Sequence, residues 1–86
     1  MADTLLEFPT DFPIKVMGRS RDGFAQMVHD IVRKHAPDYD GATMALRPSS
    51  AGNYLSVTCV VRAQSKEQLD ALYRELSGHP DIVMVL

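Results

Sequence analysis

Two successive strand–helix–strand patterns joined by a polar turn predict an α+β domain, a four-stranded antiparallel sheet with two helices on one face. Three observations carry this expectation. Residues 54–62 alternate apolar and polar; residues 24–35 and 69–76 carry apolar residues at helical spacing; a β-branched run occupies 82–86. The chain has 86 residues, 45% of them hydrophobic, enough for one core and too few for two.

Residues 1–10 read as an extended lead-in, because Pro9 and Pro13 disfavour helix, and a single domain spans 11–86. The first strand falls at residues 12–17, with Phe12, Ile14 and Val16 on one face and Lys15 on the other; Gly18 ends it. Ser20 is placed to cap the first helix with its side-chain oxygen. That helix carries the stripe Phe24, Met27, Val28, Ile31, Val32 and His35, and Pro37 stops it. Asp38-Tyr39-Asp40-Gly41 is turn chemistry. Residues 43–47 read as a short strand with Met44 and Leu46 on one face, followed by a polar loop at 48–53.

In the strand at 54–62, Leu55, Val57, Cys59 and Val61 face the core, while Tyr54, Ser56, Thr58 and Arg62 face away. A one-residue slip would bury the polar set. Ser65 and Gln68 match a capping box, in which Gln68 reaches back to the Ser65 amide. Leu69, Leu72, Tyr73 and Leu76 form the second helical stripe, Gly78 is placed as its C-cap, and 82–86 forms the last strand. The order β-α-β-β-α-β, with right-handed crossovers, is that of the ferredoxin-like sandwich. This fold hosts many functions and implies none.

Nine basic residues face eleven acidic ones, a net charge of −2, which argues against a domain that binds nucleic acid through its phosphates. The single cysteine, Cys59, cannot form an intramolecular disulfide and suits a reducing compartment. The first nine residues have no basic region and do not read as a signal peptide, and no apolar run approaches the ~18 residues of a membrane span. A cytoplasmic protein is expected, with no nucleic-acid or membrane partner.

Chemistry-bearing residues are sparse. His29 and His35 lie six residues apart on one helix, on different faces, which is not a metal-ligand spacing; surface or capping roles are expected for them, with His35 suited to the helix C-terminal dipole. Cys59 sits mid-strand on the apolar face and reads as a small buried hydrophobe. Asp38, Asp40 and Gly41 match only a fragment of a calcium loop and read as a turn. No catalytic residue, metal or cofactor is implied, because no general base stands beside a nucleophile; a non-enzyme is expected.

Two surfaces remain. Gly18, Arg19, Ser20, Arg21 and Gly23 join a strand to a helix N-terminus, where free amides and guanidinium groups suit a small anionic ligand, against competition from Asp22. The uncovered sheet face is expected to carry Lys15, Thr43, Arg47, Tyr54, Ser56, Thr58 and Arg62. It lacks the paired aromatics of a single-stranded RNA platform and suits an unidentified protein partner instead. A short chain with a mixed sheet face also suggests a homodimer that leaves the helices outside.

Several segments closely resemble the YbeD-like family of small bacterial proteins of unknown function. They are Leu5-Leu6-Glu7-Phe8-Pro9-Thr10, Phe12, Lys15-Val16-Met17-Gly18, Val32-Arg33-Lys34-His35-Ala36-Pro37, Pro48-Ser49-Ser50 with Gly52-Asn53-Tyr54, Ser56-Val57-Thr58, and Leu72-Tyr73 with Glu75-Leu76. The resemblance covers nearly the whole chain. It implies a ferredoxin-like fold similar to ACT regulatory domains, which bind amino acids and other small effectors. It also implies, by gene neighbourhood alone, a link to lipoate metabolism. ACT domains often open their first helix with Asp-Arg-Pro-Gly; the matching stretch here, Ser20-Arg21-Asp22-Gly23, keeps the arginine and the glycine. The function so implied is a non-enzymatic, ACT-like regulatory module. The alternative is a protein–protein adaptor using the open sheet face or an edge strand.

Overall fold

A computed structural model describes residues 7–86. The chain runs β1 (Thr10–Arg19), α1 (Phe24–His35), a 3-10 turn (Gly41–Thr43), β2 (Ala45–Pro48), β3 (Tyr54–Ala63), α2 (Lys66–Gly78) and β4 (Ile82–Val85). Most of the lead-in assigned to residues 1–10 falls outside the described residues, and Thr10 already belongs to β1. The sheet order is β2-β3-β1-β4 with every neighbouring pair antiparallel, so the expected α+β sandwich is the one observed. β1 and β3 pair along their whole lengths, from Thr10 opposite Ala63 to Arg19 opposite Tyr54.

Period-2 alternation sends Ile14 and Val16 of β1 and Val57, Cys59 and Val61 of β3 to one face, where all are fully buried. The helical stripes Phe24, Val28 and Val32 of α1 and Leu69, Leu72 and Leu76 of α2 close over them. Each such aliphatic or aromatic side chain contributes roughly 1.5–3 kcal/mol by leaving water. The helices are also tied to each other. Glu75 of α2 accepts from His35 Nε2 at 2.7 Å and pairs with Lys34 Nζ at 3.2 Å, and the bond from His35, then that from Lys34, holds its carboxyl below the usual range. His35 thus works as an interhelix link.

Five local expectations are corrected. Gly18 does not end β1: it lies inside the strand, at a register shift against β4. Because β1 runs on to Arg19, Ser20 is too early to cap α1. Gly23 is the N-cap, at φ 84, with no side-chain cap bond, and the Ser20 amide donates to the Asn53 carbonyl at 2.8 Å. Gln68 does not reach the Ser65 amide. Ser65 Oγ accepts from the Gln68 amide at 3.1 Å, but the Gln68 side chain passes on to accept from the Gln64 amide and to donate to the His35 carbonyl at 2.9 Å. The second bond satisfies an end-of-helix carbonyl of α1.

Gly78 is the last residue of α2 and has no positive φ; His79 is the cap, and its Nδ1 accepts from the Asp81 amide at 3.1 Å. Thr43 belongs to the 3-10 turn, where its hydroxyl donates to the Asp40 carbonyl at 2.6 Å, so β2 starts only at Ala45. Met44 precedes β2 and packs against the core, whereas Leu46 points to the helix side of the sheet on an edge strand that the helices do not cover, and stays exposed.

Cys59 is fully buried, and desolvation raises its thiol pKa. Labelling by a thiol reagent is therefore expected to be slow in the native protein and fast in denaturant; rapid native labelling would contradict the packing. Tyr39 lies beside it. Its hydroxyl is buried without a well-formed hydrogen-bond partner, and desolvation, then the neighbouring Cys59, pushes its pKa up from 10 to about 12. A buried hydroxyl without a partner costs about 1–3 kcal/mol, so Tyr39→Phe is expected to stabilise the fold by about 1 kcal/mol. The sign with pH follows. The folded pKa lies above the ordinary value, so ionisation of this hydroxyl leaves stability unchanged below pH 10 and lowers it as pH rises from 10 to about 12. Tyr39→Phe removes that part of the alkaline fall. Urea unfolding of both proteins at neutral and alkaline pH checks it; a destabilised Tyr39→Phe would show that the hydroxyl is bonded.

Candidate functional site on the open face of the sheet

With both helices on one side, alternate residues of β1 and β3 point to solvent on the other. They are Lys15, Met17 and Arg19 of β1 and Tyr54, Ser56, Thr58, Val60 and Arg62 of β3. Opposed residues of antiparallel strands share a face, so the register fixes the neighbours. Arg47, Ser56, Met17 and Met84 form one row across all four strands. Ala45, Thr58 and Lys15 form the next, extended by Leu86, whose amide and carbonyl bond to Lys15 at 2.8 and 3.0 Å. Arg19 lies opposite Tyr54, and its guanidinium carbon stands 5.9 Å from the ring centroid.

The charge on this face is uneven. Arg62 pairs with Asp11 at 3.2 Å at one end, separated from the rest by the Pro13–Val60 pair. At the other end lies a shallow cleft of about 320 Å³ lined by Lys15, Met17, Arg47, Pro48, Ser49, Tyr54 and Ser56. No carboxylate among the described residues lines it, and among those residues no ion pair is made by Lys15, Arg19 or Arg47. Beside the cleft stand two large apolar side chains left in water, Met84 at 46% exposure and Leu86 at 65%. A second cleft, about 300 Å³, is lined by Asp11, Asp38, Asp40, Val60 and Arg62 among others; its one guanidinium is already paired with Asp11, and the 49% exposed Val60 belongs to this cleft.

The 18–23 loop is arranged differently from the face. Arg21 Nη1 bonds Asp81 Oδ1 at 2.9 Å, the Ser20 amide is taken by Asn53, and the Phe24 amide donates to the Arg21 carbonyl at 3.2 Å. Gly18 seats the Phe24 ring and the Asp81 carbonyl, and a Cβ there would collide with both. Arg19 turns away to the sheet face, so the loop does not bring its two guanidinium groups together. Lys15, Arg47, Tyr54, Ser56, Thr58 and Arg62 do share the open face, whereas Thr43 does not. Sequence reasoning collected the polar members of this face and missed Met17, Arg19, Val60, Met84 and Leu86. The signal for three of them was present: Met17 and Arg19 follow Lys15 at steps of two, and Val60 follows Thr58.

No helix among the described residues is long and apolar enough to cross a membrane, and among them no cluster of three His, Cys, Asp or Glu side chains could hold a metal.

The profile of a family described as protein of unknown function (DUF493) matches residues 3–86. A UPF0250 protein of Ralstonia nicotianae is 51% identical over 98% of this chain and 87% of its own, and one of Janthinobacterium is 54% identical over 98% and 92%. Among solved structures, protein HP0495 from H. pylori superposes with a TM-score of 0.76 at 10% identity, covering 94% of this chain and 85% of that one. The ACT domain from GTP pyrophosphokinase of Chlorobium tepidum gives 0.67 at 18%, covering 90% and 97%. At such identities these two likenesses speak for the fold. With half its residues shared along nearly the full length of its relatives, this chain belongs to the DUF493 (UPF0250) family of small bacterial proteins of unknown function.

Proposed function

We propose that this protein is a non-enzymatic interaction module whose working surface is the open face of its sheet. The observation that carries the reading is the side-chain set on that face: Met84 and Leu86 stand in water beside Lys15, Arg19 and Arg47, three cations without ion-pair partners among the described residues. Exposed apolar groups rimmed by polar ones mark binding surfaces. Cys59 and Tyr39 lie in the core and His35 is bonded to Glu75, so none of these three is offered to a substrate on that face.

The test is retention of partners from bacterial lysate by three purified proteins: wild type, Lys15→Glu/Met84→Glu, and the helix-side control Arg33→Glu/Asp70→Lys. Loss of the retained partner with the first variant alone is expected. Loss with the control alone would overturn the reading.

A second reading is regulatory sensing of a small anion at Gly18, Arg19, Ser20, Arg21 and Gly23, favoured by the absence of a side-chain cap at the α1 N-terminus and by the ACT-like fold. Titration with carboxylate and phosphate metabolites, lipoate and amino acids among them, distinguishes the two. Amide shifts concentrated on residues 18–26 would establish sensing. Their absence, with shifts on Tyr54, Ser56 and Thr58 when a partner is added, would exclude it.

A further inference from the structure

We infer that the partner of the open face is an acidic segment of another protein chain, carrying Asp or Glu side chains interleaved with large apolar ones. This rests on the interaction-module reading and names its partner class. Charge complementarity comes first. The whole chain carries −2, yet three of its nine basic residues, without ion-pair partners among the described residues, gather at one end of one sheet face. Lys15 and Arg19 flank Met17 on β1, and Arg47 stands in the row of Met17 two strands away. A ligand with carboxylates gains from all three, and a basic ligand from none.

Shape decides between a metabolite and a chain. Small-molecule sites are concave and enclose most of their ligand. The cleft beside Tyr54 is shallow, and Met84 and Leu86 lie outside it. A metabolite seated on Lys15 and Arg47 would leave those two side chains in water. Arg47 and Met84 end a row of four strands, which at about 4.8 Å per strand separates them by roughly 14 Å, within reach of about five extended residues. A chain segment therefore covers the cations and the apolar group together. Single-stranded RNA fits less well. Tyr54 is the one aromatic ring of the face among the described residues, it already lies beneath the Arg19 guanidinium, and aliphatic Met and Leu give bases no stacking platform.

A random dodecapeptide library panned against the immobilised full chain tests this, followed by titration of the best synthetic peptide into wild type, Lys15→Glu/Arg47→Glu, Met84→Ser and the helix-side control Arg33→Glu. The expected result is a consensus rich in Asp or Glu with Leu, Met or Phe. Its affinity should fall by about tenfold or more in the charge-reversed variant, fall less in Met84→Ser, weaken with added salt, and stay unchanged in Arg33→Glu. All four substitutions lie at the surface, and circular dichroism confirms that each variant folds. A neutral or basic consensus whose binding is still lost in Lys15→Glu/Arg47→Glu overturns the partner class and leaves the open face as the working surface. Enrichment of nothing, or of peptides indifferent to every open-face variant, overturns both. Tighter binding of a random single-stranded RNA dodecamer than of the selected peptide, abolished by the same charge reversal, also overturns the partner class.

Discussion

Phe24→Ala is expected to cost about 3–5 kcal/mol. Phe24 opens α1, is 2% exposed and heads the fully buried side chains by volume. Its ring packs onto the bare backbone of Gly18 in β1, so it anchors the first crossover to the sheet at the point where the chain turns. Truncation leaves a cavity bounded by backbone, which collapses poorly. A domain of this size has on the order of 5 kcal/mol in total, so the variant should be largely unfolded near room temperature. Urea unfolding followed by circular dichroism reads the change. Phe24→Leu, which keeps most of the volume, should cost about 1–1.5 kcal/mol and keeps the comparison measurable if the alanine variant does not fold. A loss below 1 kcal/mol for the alanine variant would contradict the packing.

Gly18→Ala approaches the same contact from the other side and should cost about 1–3 kcal/mol. The new methyl would enter the Phe24 ring and the Asp81 carbonyl oxygen together; the ring is held by the core and the carbonyl is backbone, so neither yields cheaply. The contrast is Gly78→Ala. Nothing lies within 4 Å of its would-be methyl, its φ is not positive, and it ends a helix, so up to about 0.5–1 kcal/mol of gain is expected from the lower chain entropy. Combining Gly18→Ala with Phe24→Leu should cost less than the sum of the two, since the smaller side chain relieves the collision. Strict additivity would mean that the two residues do not touch.

The sheet and both helices could be read from the sequence because each is written in a local period. The Leu55-Val57-Cys59-Val61 alternation and the Leu69-Leu72-Leu76 stripe admit one orientation each. Local signals failed where a distant group decided the outcome. Ser20 is a good capping residue, but β1 runs on to Arg19 and the hairpin residue Asn53 takes the Ser20 amide. Gln68 left Ser65 for the Gln64 amide and the end of α1, a helix 33 residues earlier in the chain. Gly18 read as a strand end, when its missing side chain serves Phe24 and Asp81. The polar half of the open face was legible from parity on β3. Its apolar half was not, because Met84 and Leu86 join it only through pairing of β4 with β1, a contact between the two ends of the chain.

The role of the open face is tested most directly by photo-crosslinking in living bacterial cells. A photoreactive phenylalanine analogue replaces Val60 or Met84 on the open face, or Arg33 or Asp70 on the helix side, in otherwise wild-type protein. The expected result is a discrete crosslinked species from the two open-face positions, weakened by added Lys15→Glu/Arg47→Glu, with none from the helix-side positions. Crosslinks confined to Arg33 or Asp70 would contradict the open face as the surface through which this protein works.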